Sequence, residues 1–216
     1  MNVEPQVVFC LPGNICVTDT VTSTWVMMAL ILALGILARR KMPAALDMLL
    51  DFLLDMIGDV IPDEETARTY LPFLGSLAIF IAVGNSIGVV PLLVTPTRDV
   101  STPLALAIIV FFAVHYYGVK EKGLLTYLKD LAAPLYLLPL TLPLEIIGQL
   151  SRTLSLTLRL FGNIISAELV VAVVFSLVPL FVQLPLVGLS LFTGLLQAYI
   201  FTVLATVYIA SGIESK

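Results

Sequence analysis

Apolar residues along this chain fall into runs too long and too poor in charge for the elements of a water-soluble domain. Residues 21–38, 71–94, 103–119, 144–177 and 186–213 each read as an apolar helical stretch, against the roughly 20 residues that cross a bilayer. Charges and prolines punctuate them. Asp19 or Thr20 opens the first, and Arg39, Arg40 and Lys41 stop it. Lys120, Glu121 and Lys122 close the third, and the proline-rich stretch 134–143 leads into the fourth. The pattern predicts an all-α integral membrane protein with about five transmembrane helices. The last two are long: about 34 residues at ~1.5 Å each make about 50 Å, against a hydrocarbon core of ~30 Å. They are expected to tilt steeply or to run out of the core.

One segment departs from this pattern. Residues 43–62 carry Asp47, Asp51, Asp55 and Asp59 at every fourth position, continued by Asp63, with Leu, Met, Phe and Ile between them. This spacing predicts an amphipathic helix with a single acidic stripe between spans 1 and 2. A helix lying on the inner leaflet carries a basic face as a rule, because that leaflet is anionic. An acidic stripe therefore points to water, or to a basic partner protein.

The cations orient the spans. With the N-terminus outside and the C-terminus cytoplasmic, Arg39, Arg40, Lys41, Arg68, Lys120, Lys122, Lys129 and Lys216 fall inside and only Arg98 falls outside. Residues 1–20 are then an external N-terminal segment of a single membrane domain, 1–216. Cys10 and Cys16 in that segment close a small disulfide if it faces an oxidising compartment, and are otherwise small apolar residues. The segment lacks the basic start and the cleavage site of a removed signal peptide.

Composition narrows the function classes. The chain is 59% hydrophobic and 12% charged with a net charge of −4, and it has no Lys/Arg-rich run, so no nucleic-acid partner is expected. A single histidine, His115, excludes a bis-histidine haem or a histidine-rich metal site, and no cofactor is expected. No nucleotide-binding glycine loop is present.

The fourth span nevertheless holds four ionisable residues, each costing several kcal/mol unless it lines water, pairs, or works on an ion. Glu145, Arg152 and Arg159 are seven residues apart, and seven residues turn a helix by about 700°, so they share one face. Ser155, Asn163 and Ser166 extend the stripe. Glu168 lies about 900° past Arg159, on the opposite side and about 13 Å nearer the outside, while Glu145 is about 20 Å toward the inside. This spacing suggests two aqueous approaches kept apart by Arg159. A guanidinium cannot relay protons at physiological pH, but it repels cations and attracts a carboxylate. Glu145 and Arg152 also read as an ordinary interfacial ion pair. Trp25, Tyr116 and Tyr117 read as interface anchors, and His115 as an ordinary interfacial residue. Asp99 beside Arg98 reads as a cap for the third span. Gly84 and Gly88 read as small residues that let helices pack closely.

LRLFGN (Leu158 to Asn163), the trailing Glu168, and Gln197 and Tyr208 in LLQAYIFTVLATVYIAS resemble the two signature helices of subunit a of F-type ATP synthases. The resemblance extends through GNSIGVVP, TRDVSTPLALA and PLEIIGQLSRTLSLTLRLFGN, most of the chain after about residue 70. It implies an Fo ion-channel subunit for H⁺ or Na⁺, not catalytic alone, in a bacterial inner membrane. The implied partners are the c-ring, the peripheral stalk b subunits, the rest of the F1Fo complex and the lipid bilayer. In that family the arginine matching Arg159 meets the ion-carrying carboxylate of each passing c helix. The residues matching Asn163, Glu168 and Gln197 lie along the ion path, and the one matching Glu145 lies toward the inner channel. Tyr208 belongs to the same signature. Asn85 reads as a buried interhelical hydrogen bond or, by the resemblance, as channel lining. One position departs: where many members have a histidine partner for the carboxylate, this chain has Ser190, which leaves Glu168 to Ser190, Gln197 and water. A secondary transporter binding an anionic substrate through Arg159 is the alternative, although the repeated halves usual for such proteins are not visible.

Overall fold

A computed structural model describes residues 7–11, 15–89, 95–131, 138–177 and 183–213. Two short antiparallel strands, β1 (Val7–Leu11) and β2 (Ile15–Thr18), form a hairpin ahead of the first helix, with Cys10 directly opposite Cys16 in the register. Everything else regular among the described residues is helical. Among the described residues five helices are long and apolar enough to cross a membrane, and the protein is an integral membrane protein of the all-α class.

Helix α1 (Asp19–Lys41) begins where Asp19 Oδ1 accepts the Thr20 backbone N–H at 2.9 Å. It ends on Arg39, Arg40 and Lys41, cations that suit the negative end of the helix dipole. It is apolar all round and buries only Thr20, Ser23 and Met27, leaving Trp25, Leu32 and Ile36 to the surroundings. Helix α2 (Pro43–Gly58) opens with proline at its first position, where no amide hydrogen is needed. Its acidic stripe is exposed, while Leu53, Met56 and Ile57 pack inward. Helix α3 (Glu64–Ser86) starts at an Asp63 cap, whose carboxylate accepts both the backbone N–H and the hydroxyl of Thr66.

Two 3-10 turns, Ile87–Val89 and Pro96–Arg98, lie between α3 and helix α4 (Ser101–Lys122). Gly123 then takes a positive φ of 79°, which glycine adopts without a Cβ clash, ending α4 and turning the chain into helix α5 (Leu124–Leu131). Helix α6 (Leu138–Leu177) has 40 residues and helix α7 (Gln183–Ile213) has 31. At ~1.5 Å per residue α6 is about 60 Å long, twice the thickness of a hydrocarbon core.

Lipid tails are as apolar as leucine, so helices associate in a bilayer through close packing and interhelical hydrogen bonds rather than by escaping solvent. The centre of the bundle follows that rule. Tyr70, Leu74 and Ile81 of α3 and Phe201, Ala205 and Ile209 of α7 are fully buried in one cluster. Glycines allow the approach: a Cβ on Gly118 of α4 would lie 2.6 Å from the Tyr127 ring and 3.2 Å from the Gly212 carbonyl oxygen of α7.

Helix succession gathers the chemistry at two ends. The start of α3, the ends of α4 and α7, helix α5 and the first part of α6 meet at one end, where Tyr70 Oη donates to Glu121 at 3.4 Å. Arg68, Lys120 and Lys122 lie there together with Glu64, Glu65 and Glu121. The end of α3, the turn Pro96–Arg98 and the facing parts of α6 and α7 meet at the other.

Candidate functional site

Helix α6 is two-sided. Leu156, Thr157, Leu160 and Ile164 are buried against the bundle, whereas Arg152, Ser155, Arg159 and Ser166 are exposed. The faces follow from the spacing, because residues four apart advance about 40° around a helix and residues seven apart about 20° short of full turns. Glu145 and Asn163 lie toward the packed side of the stripe and are half-buried. Arg159 projects from the open side beside Leu158, which is 62% exposed.

At the end where α4 and α7 finish, Glu145 accepts a hydrogen bond from Gln149 Nε2 at 3.2 Å. A cavity of about 40 Å³ opens between α4, α6 and α7, lined by His115, Gln149, Arg152, Thr153 and Tyr208 among others. That is room for water, which needs ~10–15 Å³ and polar partners. Arg152 lies with its guanidinium carbon 5.4 Å from the centre of the Tyr208 ring, a cation–π arrangement in place of the ion pair its spacing from Glu145 suggests. His115 Nδ1 is 2.8 Å from the Phe111 carbonyl oxygen, which makes Nδ1 the donor. Its ring centre lies 4.4 Å from that of Phe111, tilted by 43°, and 6.0 Å from that of Tyr127, edge-on. Burial, and then the charge of Glu145, hold the Tyr127 phenol above its ordinary value of 10. His115 is thus part of a polar cluster facing the cavity. Its position at a span end gave no sign of that, because α4 contacts α6 only through the tertiary fold.

At the other end, Glu168 pairs with Arg98 at 3.2 Å. Arg98 is carried by the turn Pro96–Arg98, and the turn is locked by side chains. Thr97, fully buried, donates to Asn85 Oδ1 at 2.9 Å, and Asn85 Nδ2 donates to the Gly194 carbonyl oxygen of α7 at 2.9 Å. Asn163 Nδ2 reaches the Thr193 carbonyl oxygen at 3.4 Å. The Ser190 carbonyl accepts the Thr193 hydroxyl at 3.0 Å. Gln197 is 6% exposed and its Nε2 has no hydrogen-bond partner among the described residues, a donor that costs ~1–3 kcal/mol if left dry.

Two polar clusters therefore flank Arg159, and Glu168 turns away from it toward Arg98. The ionic partner of Glu168 comes from the turn before α4, not from α7. Only the charge of Arg98 and its place outside a span signalled that partnership in the sequence.

The amino-acid sequence has matches among known proteins. A sequence model of the family described as ATP synthase A chain matches residues 21–210. ATP synthase subunit a 2 of Bradyrhizobium sp. (strain BTAi1) is 45% identical over 208 residues, covering 94% of this chain and 92% of its own length. ATP synthase subunit a of Desulfosudis oleivorans is 41% identical over 200 residues, with 88% and 86% covered. ATP synthase subunit a 2 of Picosynechococcus sp. (strain PCC 7002) is 40% identical over 220 residues, with 98% and 93% covered. The chain belongs to the ATP synthase A chain family. For a member of the ATP synthase A chain family, the matched region takes in both polar clusters and the exposed stripe of α6, from the start of α1 to Ala210, and leaves the β1–β2 hairpin ahead of it.

Proposed function

We propose that this chain is the ion-translocating a subunit of the Fo sector of a rotary ATP synthase, conducting H⁺ or Na⁺ between two half-channels and the c-ring. The observation that carries this reading is the exposed Arg159 on the open face of α6, between the Glu145–His115 cluster and the Glu168–Arg98 cluster. An isolated arginine deep in a span is costly unless another surface covers it. A passing helix with a carboxylate is the surface its chemistry fits.

This chain's residues line the two pathways, and the ring supplies the ion-carrying carboxylate. A cation enters from the outside, passes Glu168 and the amides of Asn163 and Gln197, and neutralises a carboxylate on the ring. The neutral site then turns into lipid at low cost. When it returns from the other side, it meets the inner pathway of Glu145, Gln149 and the cavity at Tyr208. Arg159 favours the ionised carboxylate there and so drives the cation out. Its permanent charge also blocks a direct passage from one half-channel to the other. Asn85 supports the outer pathway by holding the turn against α7, and Ser190 by fixing Thr193, whose carbonyl receives Asn163. ATP chemistry belongs to partner subunits, and the peripheral stalk b subunits hold this chain still against the rotating ring. The distribution of cations supports an N-terminus outside and a C-terminus in the cytoplasm, in a bacterial inner membrane.

The test is assembly plus coupling. Isolated in mild detergent, the chain is expected in a complex with ring and stalk subunits, and Arg159→Ala in that complex is expected to abolish ion-driven ATP synthesis. A lone chain or homodimer, or synthesis at the wild-type rate in Arg159→Ala, removes the reading.

A further inference from the structure

Arg98 has no place in the pathway described so far, yet the fold holds it with care. Thr97 beside it is fully buried and donates to Asn85 of α3 at 2.9 Å, and Asn85 in turn donates to the backbone of α7 at 2.9 Å, so the turn is anchored to α3 at the point where α3 is joined to α7. The guanidinium thereby rests 3.2 Å from Glu168, with Arg98 18% and Glu168 33% exposed. Two other carboxylates near the turn each accept a backbone N–H. Asp99 accepts the Ser101 backbone N–H at 3.0 Å, and Asp19, at the start of α1, accepts that of Thr20. Glu168 is thus met by a cation that cannot be neutralised at physiological pH.

We propose that Arg98 is a positioning residue of the outer half-channel: as a tethered competitor for the Glu168 carboxylate, it sets how strongly an entering cation is held there. This rests on the ion-translocation reading above. The physical logic is that a conducting site must hold an ion well enough to admit it and weakly enough to release it. A fixed positive charge at contact distance weakens the hold on any second cation, and partial burial strengthens that effect relative to open water. Removing it makes Glu168 a tighter trap. Loading then needs less external ion, while release onto the ring slows.

The complete complex in proteoliposomes distinguishes this from a bracing role. ATP synthesis is driven at fixed membrane potential while the cation on the Glu168 side is varied, protons in one series and Na⁺ at constant pH in another. Arg98→Gln is expected to lower the half-saturating concentration of the coupling ion by about tenfold and to lower the maximal rate as well. Arg98→Lys, which keeps the charge but loses the planar fork, is expected to shift it in the same direction by about twofold to threefold. In a Glu168→Gln background, Arg98→Gln is expected to produce no further shift. A reduced maximal rate with an unchanged half-saturating concentration, a shift that persists without Glu168, or failure of both Arg98 variants to assemble overturns the proposal. Arg159→Ala in the same vesicles checks the reading beneath it. If its synthesis collapses while Arg98→Gln behaves as wild type, only the role of Arg98 falls; if its synthesis persists, the pathway itself is wrong.

Discussion

Asn85 donates its side-chain amide to the carbonyl oxygen of Gly194 at 2.9 Å, joining α3 to α7 across 109 residues of sequence. The bond exists because residue 194 has no side chain: a Cβ there would lie 3.0 Å from Asn85 Cβ. That is closer than side chains normally pack, and the Asn85 Cβ is fixed to backbone and cannot swing away. Gly194→Ala is therefore expected to push α3 from α7 and destabilise the protein by about 1–3 kcal/mol. Asn85→Ala keeps the spacing, forfeits an interhelical bond of about 1–2 kcal/mol and frees Thr97. Thermal inactivation of the purified complex ranks them, and an unshifted midpoint for Gly194→Ala contradicts the packing.

The Asp63 cap predicts a pH signature outside the spans. Its carboxylate accepts two hydrogen bonds from Thr66, from the hydroxyl and then the amide, which hold its pKa below its ordinary value of 3.8. A lowered folded pKa means stability that is present above the unfolded value and is lost as pH falls through the folded one. Asp63→Ala should speed hydrogen exchange at the Thr66 amide at neutral pH. The gap from wild type should hold down to about the ordinary carboxylate range and close only below it. A gap that closes near neutrality assigns the cap to some other group.

The fold class was legible because a bilayer permits few solutions. Backbone groups must pair within each segment, so spans are helices of a minimum length and the charges at their ends show. The face of α6 was legible for a similar reason: the exposure of Arg152 and Arg159 follows from a spacing of seven. What periodicity cannot tell is which other element meets that face. Arg98 read as a lone outside cation and its pairing with Glu168 depends on how Thr97 docks on Asn85. His115 read as an interfacial residue because nothing in α4 itself reveals the cavity that α6 and α7 close over it. The N-terminal hairpin, with Cys10 opposite Cys16, was hidden in a short segment without alternation strong enough to mark strands.

Tyr127 reports on Glu145 from outside the spans. Burial is the first cause of its raised pKa and the charge of Glu145 the second. Glu145→Gln removes only the second. Phenol ionisation followed by ultraviolet difference absorbance, with Tyr127→Phe to identify the signal, should move to lower pH in that variant yet stay above the ordinary tyrosine value of ~10. A titration that does not move places Glu145 too far from the α5 ring to share the inner cluster.

Arg152 and Arg159 share a face of α6 but differ in what holds them, and their variants should differ accordingly. Arg152 has a partner within this chain, the Tyr208 ring at 5.4 Å. Such a contact is worth about 0.5–1 kcal/mol at an exposed site. Arg152→Ala should therefore slow ATP synthesis by about twofold to fivefold, and Tyr208→Leu should produce a similar loss that is not additive with it. Arg159 is exposed on the open side, and its proposed partner is a carboxylate outside this chain. Arg159→Ala removes the charge that displaces the ion, so synthesis should fall to background while passive ion leak through the complex rises. Arg159→Lys keeps a charge but loses the planar fork, and should recover the block to leak better than the synthesis. Leak is read as decay of an imposed ion gradient in proteoliposomes with ATP absent. Equal losses in Arg152→Ala and Arg159→Ala would mean that the stripe acts as one electrostatic surface rather than through a single divider.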